Sequence, residues 1–149
     1  MAFLGSFDIS ASGMSAQRVR MDIAAENIAN MDTTRTESGG PYRRKNVLLE
    51  SYSDTSFAQA MENAARGKGI TSRHAGVRVS GIVEDDREAK KVYNPDQPDA
   101  DADGYVTMPN VDVLKETVDS MSATRSYEAN VTALNAIKLM AQKALEIGK

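Results

Sequence analysis

The chain has no cysteine, no tryptophan and one histidine in 149 residues. Without cysteine there is neither a disulfide framework nor a thiolate metal site, and His74 alone cannot build a structural zinc centre of the usual kind. Aromatic residues make up only 5%. The large rings that anchor a deep core are therefore scarce, and packing falls to Ala, Val, Met, Ile and Leu. That suits helix-on-helix contact better than a thick sandwich. No apolar run approaches the roughly 20 residues that cross a bilayer as a helix, so direct membrane insertion is not expected. Met1 to Asp8 lack the basic start and continuous apolar stretch of a cleaved secretory signal. Any route out of the cytosol is expected to leave the chain uncleaved. There is no G-x-S-x-G and no phosphate-binding glycine loop, Gly67-Lys68-Gly69 being too short for one. The net charge is -3, and the basic stripe of a nucleic-acid binder is missing. The one basic run, Arg43-Arg44-Lys45, reads as a solvated strand edge. No catalytic residues and no cofactor are expected.

What is present is apolar periodicity at both ends. Hydrophobic residues are 41% and charged residues 26%, ordinary values for a globular chain, and the length suits one core with at most an extra lobe. Phe3 to Met31 reads as an amphipathic helix, weakened at Gly13 by about 1 kcal/mol relative to alanine. Within it Phe7, Met14, Met21 and Ile28 recur at a strict seven-residue interval, which keeps one seam facing a partner helix. Val111 to Ile147 reads as a second helix. Pro109-Asn110 supplies a break and an N-cap candidate in Asn110, with Asp112, Glu116 and Asp119 in the early turns and Lys138, Lys143 and Lys149 late, as the helix dipole favours. Val111, Leu114, Val118 and Met121 form one apolar stripe. Tyr127, Val131, Leu134, Ala141 and Leu145 form another, out of phase with it, which Ile137 and Ala144 broaden. A helix of about 37 residues would be about 55 Å long, more than a compact domain of this size buries, so part of its apolar surface calls for a partner chain. Asn27, Asn30, Tyr127 and Asn130 lie close to the stripes. They are either solvated or placed at a seam, where a buried amide fixes register and partner.

The middle of the chain reads as strands and loops. Thr33 to Pro41 is a loop broken by Gly39-Gly40-Pro41. Strands are expected over Tyr42–Tyr52, Gly76–Glu84, Lys90–Tyr93 and Tyr105–Met108, with Gly81 a possible bulge. Ser53 to Ser72 stays open between a short helix through Phe57, Ala58, Met61 and Ala65 and a plain loop. Asp99-Ala100-Asp101-Ala102-Asp103-Gly104 matches the opening of an EF-hand loop. The twelfth position is Asn110, where a bidentate glutamate is needed, and Pro95 and Pro98 stand where an entering helix should be. The block is read as an acidic turn, and no metal site is expected. The fold class is α+β: residues 1–33 and 110–149 form a terminal, coiled-coil-like helical domain, and 34–109 a β-rich middle segment of hairpin and loop. This describes an assembly protein rather than a catalyst. A soluble two-helix adaptor, or a secreted binding module with a β lobe, is the alternative.

Ser12-Gly13-Met14-Ser15-Ala16-Gln17-Arg18-Val19-Arg20-Met21, followed by Asn27-Ile28-Ala29-Asn30-Met31-Asp32-Thr33-Thr34, resembles the N-terminal signature of bacterial flagellar rod and hook proteins. Ala123-Thr124-Arg125-Ser126-Tyr127-Glu128-Ala129-Asn130-Val131 and the ending Lys143 to Lys149 resemble their C-terminal signature. Val92-Tyr93-Asn94-Pro95 and Asp99 to Val106, running into Pro109-Asn110-Val111-Asp112, are similar to the short proximal-rod branch of that family. The resemblance implies a structural subunit that leaves the cell body through the flagellar type III export apparatus. It implies helical assembly with copies of itself and other rod proteins into the shaft that carries motor torque across the periplasm to the hook. The terminal helices would line the tube and the middle segment would face outward. Residues expected at subunit interfaces are Phe7, Met14, Met21, Asn27, Ile28 and Asn30 on the first helix. On the second they are Val118, Met121, Arg125, Tyr127, Glu128, Asn130, Val131, Leu134, Ile137, Ala141 and Leu145.

Overall fold

Two long helices bracket four strands in the computed structural model, which describes residues 2–37, 39–53, 61–62, 64–66 and 75–147. In chain order these are α1 (Ala2–Ala29), β1 (Lys45–Ser53), β2 (Ala75–Glu84), β3 (Lys90–Tyr93), β4 (Tyr105–Met108) and α2 (Val113–Ile147). The architecture is α+β. Among the described residues β1 pairs with β2 and β3 with β4, each pair a two-stranded sheet. His74, Phe57 and Gly67 to Gly69 lie outside the described residues. Of the ambiguous stretch, Met61, Glu62, Ala64 and Ala65 are helical, and the Arg66 amide donates to the Glu62 carbonyl at 3.1 Å.

Both helix boundaries are set by side chains. At the end of α1, the Asn30 side-chain amide and backbone N–H both reach the Glu26 carbonyl (2.9 and 3.1 Å), and Thr33 Oγ1 donates to Asn30 Oδ1 at 3.2 Å. These bonds satisfy groups that a helix end leaves open. α2 starts two residues later than the sequence suggests. Its cap is Asp112, whose Oδ1 accepts from the Leu114 N–H at 3.1 Å, the usual N-cap bond. Asn110 is not free to cap. Its Oδ1 accepts from the Arg44 N–H and its Nδ2 donates to the Arg87 carbonyl, both at 3.3 Å. Strand β1 likewise begins at Lys45 and not at Tyr42, because residues 42–44 are drawn into other bonds. The Tyr42 N–H goes to the Thr33 carbonyl at 3.0 Å, and the Arg44 carbonyl accepts from the Asp85 N–H at 2.8 Å.

The residues group into two compact, discontinuous units: 1–18, 49–80 and 124–149 in one, 19–48 and 81–123 in the other. In the first, Ser12 Oγ donates to the Ile9 carbonyl at 2.8 Å and accepts from the Val77 N–H at 3.2 Å, which ties β2 to α1. Gly13 has its reason here. A Cβ at that position would lie 3.0 Å from Asn130 Nδ2, so the missing side chain lets the two helices approach with the Asn130 amide between them. Helix propensity is given up for that contact.

In the second unit β3 and β4 run antiparallel with Lys90 opposite Met108, Val92 opposite Val106 and Tyr93 opposite Tyr105. The alternation puts Val106 in the core, 1% exposed. Tyr93 and Tyr105 pack edge to face on the other side, 5.4 Å between centroids. The acidic block Asp99 to Gly104 is the returning part of this hairpin's loop. Gly104 has φ +79°, a conformation that favours glycine, with its N–H on the Asp101 carbonyl at 2.8 Å. Asp101 donates its own N–H to the Tyr105 carbonyl at 2.8 Å, and Asp99 Oδ2 accepts from Thr34 Oγ1 at 2.7 Å. The three aspartates are otherwise exposed.

Candidate functional site

The most enclosed polar residues lie together in the second unit. Asn27 is 1% exposed and Glu116 2%. Both sit at helical positions that the apolar pattern assigns to a seam: Asn27 is four residues on from Ile23, and Glu116 seven before Ala123, which is fully buried. Ile23 and Ala24 line the same cavity as Asn27 and Glu116, and Ala123 is buried one heptad further along α2.

An amide has two donor and two acceptor positions, and Asn27 uses all four. Its Nδ2 donates to Glu116 Oε2 and to the Lys45 carbonyl, and its Oδ1 accepts from the Lys45 N–H and from the Tyr42 hydroxyl, each at 2.9 Å. Glu116 puts its second oxygen, Oε1, on Arg44 Nε at 2.6 Å. The Arg44 side chain is 9% exposed. Its Nη1 donates to Asn46 Oδ1 and lies 3.8 Å from Asp85 Oδ2, and its Nη2 reaches Asp119 Oδ2 at 3.5 Å. Lys45 Nζ pairs with Glu26 Oε1 and stands 5.7 Å over the Tyr42 ring. Among the described residues no buried side-chain nitrogen or oxygen lacks a partner. A half-satisfied network would be worse than an apolar core, and this one is complete. A cavity of about 130 Å³ beside it, lined by Arg20, Asn46, Val47 and Asp119 among others, is well below the 300–1,000 Å³ of small-molecule sites.

Two groups in this region have displaced acidities. The Asp85 carboxyl is held well below the usual range by the side-chain and backbone hydrogen bonds of Arg87, whose Nε lies 2.9 and 3.0 Å from its two oxygens. Tyr42 is pushed up to about 12, first by burial and then by Glu26, Glu116 and Glu84. Raising the pKa of a phenol in the folded state favours its neutral form. The resulting stability is full below pH about 10, the unfolded value, and is lost as pH rises through about 12. The melting temperature should therefore fall between those pH values. Tyr42→Phe is expected to flatten that limb while lowering stability at pH 7 by about 1 kcal/mol for the lost hydrogen bond. Thermal melts of both proteins from pH 7 to 12 check this.

Of the residues expected at interfaces, Asn27 is enclosed by its own chain. The seven-residue series Phe7, Met14, Met21 and Ile28 is half-buried throughout. The buried residues of α1 include Ala16, Ile23, Ala24 and Asn27. Asn30 is half-buried at the end of α1. On α2, Tyr127, Asn130, Val131, Leu134, Ile137 and Ala141 are half-buried, while Arg125, Glu128 and Leu145 are exposed. Val118 and Met121 are 57% and 53% exposed, and Leu114 on the same stripe is 75% exposed. Val111, the fourth member of that stripe, is buried ahead of the helix.

Arg44 corrects the reading of the basic run. Arg43 is solvated beside Asp86 (3.6 Å), but Arg44 turns inward because Glu116, Asp119 and Asp85 converge on it. Sequence reasoning also missed Glu116, read there as a dipole partner of the first turn. Its phase offered a signal: Glu116, Ala123, Asn130 and Ile137 recur every seven residues.

Residues 7–35 match the family described as flagella basal body rod protein, and residues 102–147 the family described as flagellar basal body rod FlgEFG protein C-terminal. The chain is 53% identical over 153 residues to the flagellar basal-body rod protein FlgC of Bacillus subtilis (strain 168), with 100% of each chain covered. It is 44% identical over 149 residues to the protein of that name from Escherichia coli O6:H1, again with 100% of each covered. To that of Borreliella burgdorferi it is 39% identical over 157 residues, covering 99% of this chain and 98% of the relative.

Proposed function

The chain belongs to the flagellar basal-body rod protein family and is a structural subunit of the rod; from that premise we propose that it assembles head to tail with copies of itself and with other rod proteins, through the outward faces of its terminal helices. In this reading residues 1–33 and 110–149 form the axial core, and 34–109 the outer segment. The subunit reaches its place through the flagellar type III export apparatus without signal cleavage, and the proximal rod it builds carries motor torque toward the hook. The reading assigns the chain no catalytic role.

One observation carries it. The α2 residues Leu114, Val118 and Met121, spaced four and three apart on one face, are each more than half exposed, while the same helix turns Glu116 and Ala123 inward. A large apolar stripe left outside a satisfied seam is the mark of a surface covered by another chain. Contacts between two different patches of one subunit type do not close into a ring unless the rotation allows it, and they generate an open helix. Deletion of this chain should remove rod and hook from basal bodies seen by electron microscopy, and the wild-type chain should restore them. Flagella that assemble normally without it would overturn the reading.

A further inference from the structure

The Asn27, Arg44 and Glu116 cluster joins three segments far apart in the chain, and its wiring is specific. Glu116 spends one carboxylate oxygen on α1, through Asn27 Nδ2, and the other on the segment leading into β1, through Arg44 Nε. Asn27 has three of its four hydrogen bonds with residues 42–45 and only the fourth with α2. If residues 42–46 were undocked, the two helices could meet only by burying an amide short of three partners and a carboxylate without its cation. An unpaired buried charge is among the most expensive features a protein interior can hold.

The apolar part of this seam discriminates poorly. Besides Ile23, its buried members are the alanines Ala24 and Ala123, whose small surfaces specify register weakly. A slide of α2 by one turn, about 5.4 Å, would cost these alanines little and would break both hydrogen bonds of Glu116, to Asn27 and to Arg44. We propose that Asn27, Arg44 and Glu116 form a registration lock: α1, the start of β1 and the start of α2 close together, in one register, and the two helix segments do not pair until residues 42–46 have docked. The device goes beyond the rod role and does not depend on it.

Hydrogen exchange of the full chain, read by mass spectrometry, tests the coupling. Arg44→Met keeps an unbranched apolar stem and removes the guanidinium. The lock requires that amide protection fall together, by about a hundredfold or more, in residues 19–27, 42–48 and 113–119. Loss confined to 42–48, with both helix segments protected as in the wild type, would overturn it. Should Arg44→Met not fold, Arg44→Lys retains the charge without the fork, and the same contrast between joint and local loss is read there. Asn27→Leu, Arg44→Met and Glu116→Leu combined remove the polar requirement altogether. That variant should give more than one set of amide cross-peaks for residues 19–27 and 113–123 in a nitrogen–proton correlation spectrum. A single set would show that the apolar seam chooses its own register and that the cluster is no lock.

Discussion

A strain whose only copy of this chain carries Val118→Asp together with Met121→Asp is expected not to swim, although the protein accumulates to normal levels. Both side chains lie more than half in solvent, and substitutions at such positions shift the stability of an isolated chain by no more than about 0.5 kcal/mol each. In an assembled rod the same positions would bury two carboxylates against apolar surface with no cation supplied, at several kcal/mol per charge. The asymmetry separates an interface role from a folding role. Soft-agar motility, immunoblotting and electron microscopy of basal bodies together read it. Normal swimming would move the interface off this stripe. Absent protein would mean that the stripe stabilises the single chain.

Glu116→Leu should cost about 3–5 kcal/mol of unfolding free energy, the range found when one member of a buried ion pair is removed. Leucine fits the space, so the penalty comes from what is left behind: the Arg44 guanidinium loses its nearest anion and Asn27 Nδ2 loses an acceptor. Adding Arg44→Met should recover a good part of that loss, since the second substitution removes the guanidinium that has lost its closest anion. Urea unfolding of the two single variants and the double gives the coupling directly. Additive losses would mean that the pair contributes nothing beyond two independent contacts. Against a typical stability of 5–15 kcal/mol, the single Glu116 change alone should also lower the amount of protein in the cell.

Sequence periodicity placed both helices and all four described strands because those signals are local. Seven- and four-residue apolar spacing marks α1 and α2, alternation marks β2, and Pro41, Pro95, Pro98 and Pro109 all fall between elements. The errors came where a residue's role is decided far away in the chain. Asn110 looked like a cap, but its amide is drawn to Arg44 and Arg87, and the cap passes to Asp112. Arg43, Arg44 and Lys45 are alike as a basic run. Only the convergence of Asp85, Glu116 and Asp119 singles out the middle one. Asn27 was legible as a residue near the seam, but not the four partners that enclose it. The heptad of Phe7, Met14, Met21 and Ile28 is regular and half-buried throughout, while the buried positions beside it on α1 include Ala16, Ile23, Ala24 and Asn27. At Gly13 the missing side chain leaves room for the Asn130 amide, a long-range contact that no local pattern announces.

Three of the buried helix residues, Ala16, Ala24 and Ala123, are alanines, and this bears on where in a rod the chain is weakest. A buried alanine adds one methyl to the hydrophobic ledger, against about 1.5–3 kcal/mol for a fully buried leucine or phenylalanine. Many of the large apolar side chains of α2 wait outside, among them Leu114, Leu139 and Leu145. Each neighbouring subunit then acts on the folding equilibrium as a ligand does, adding about 2.7 kcal/mol when present at a hundredfold excess over its dissociation constant. In the proposed head-to-tail assembly, a subunit in the body of the shaft would have neighbours on both sides and one at the growing tip on one side only. The tip would then be the point at which the chain stands nearest to unfolding, and each arriving copy would anneal the one beneath it.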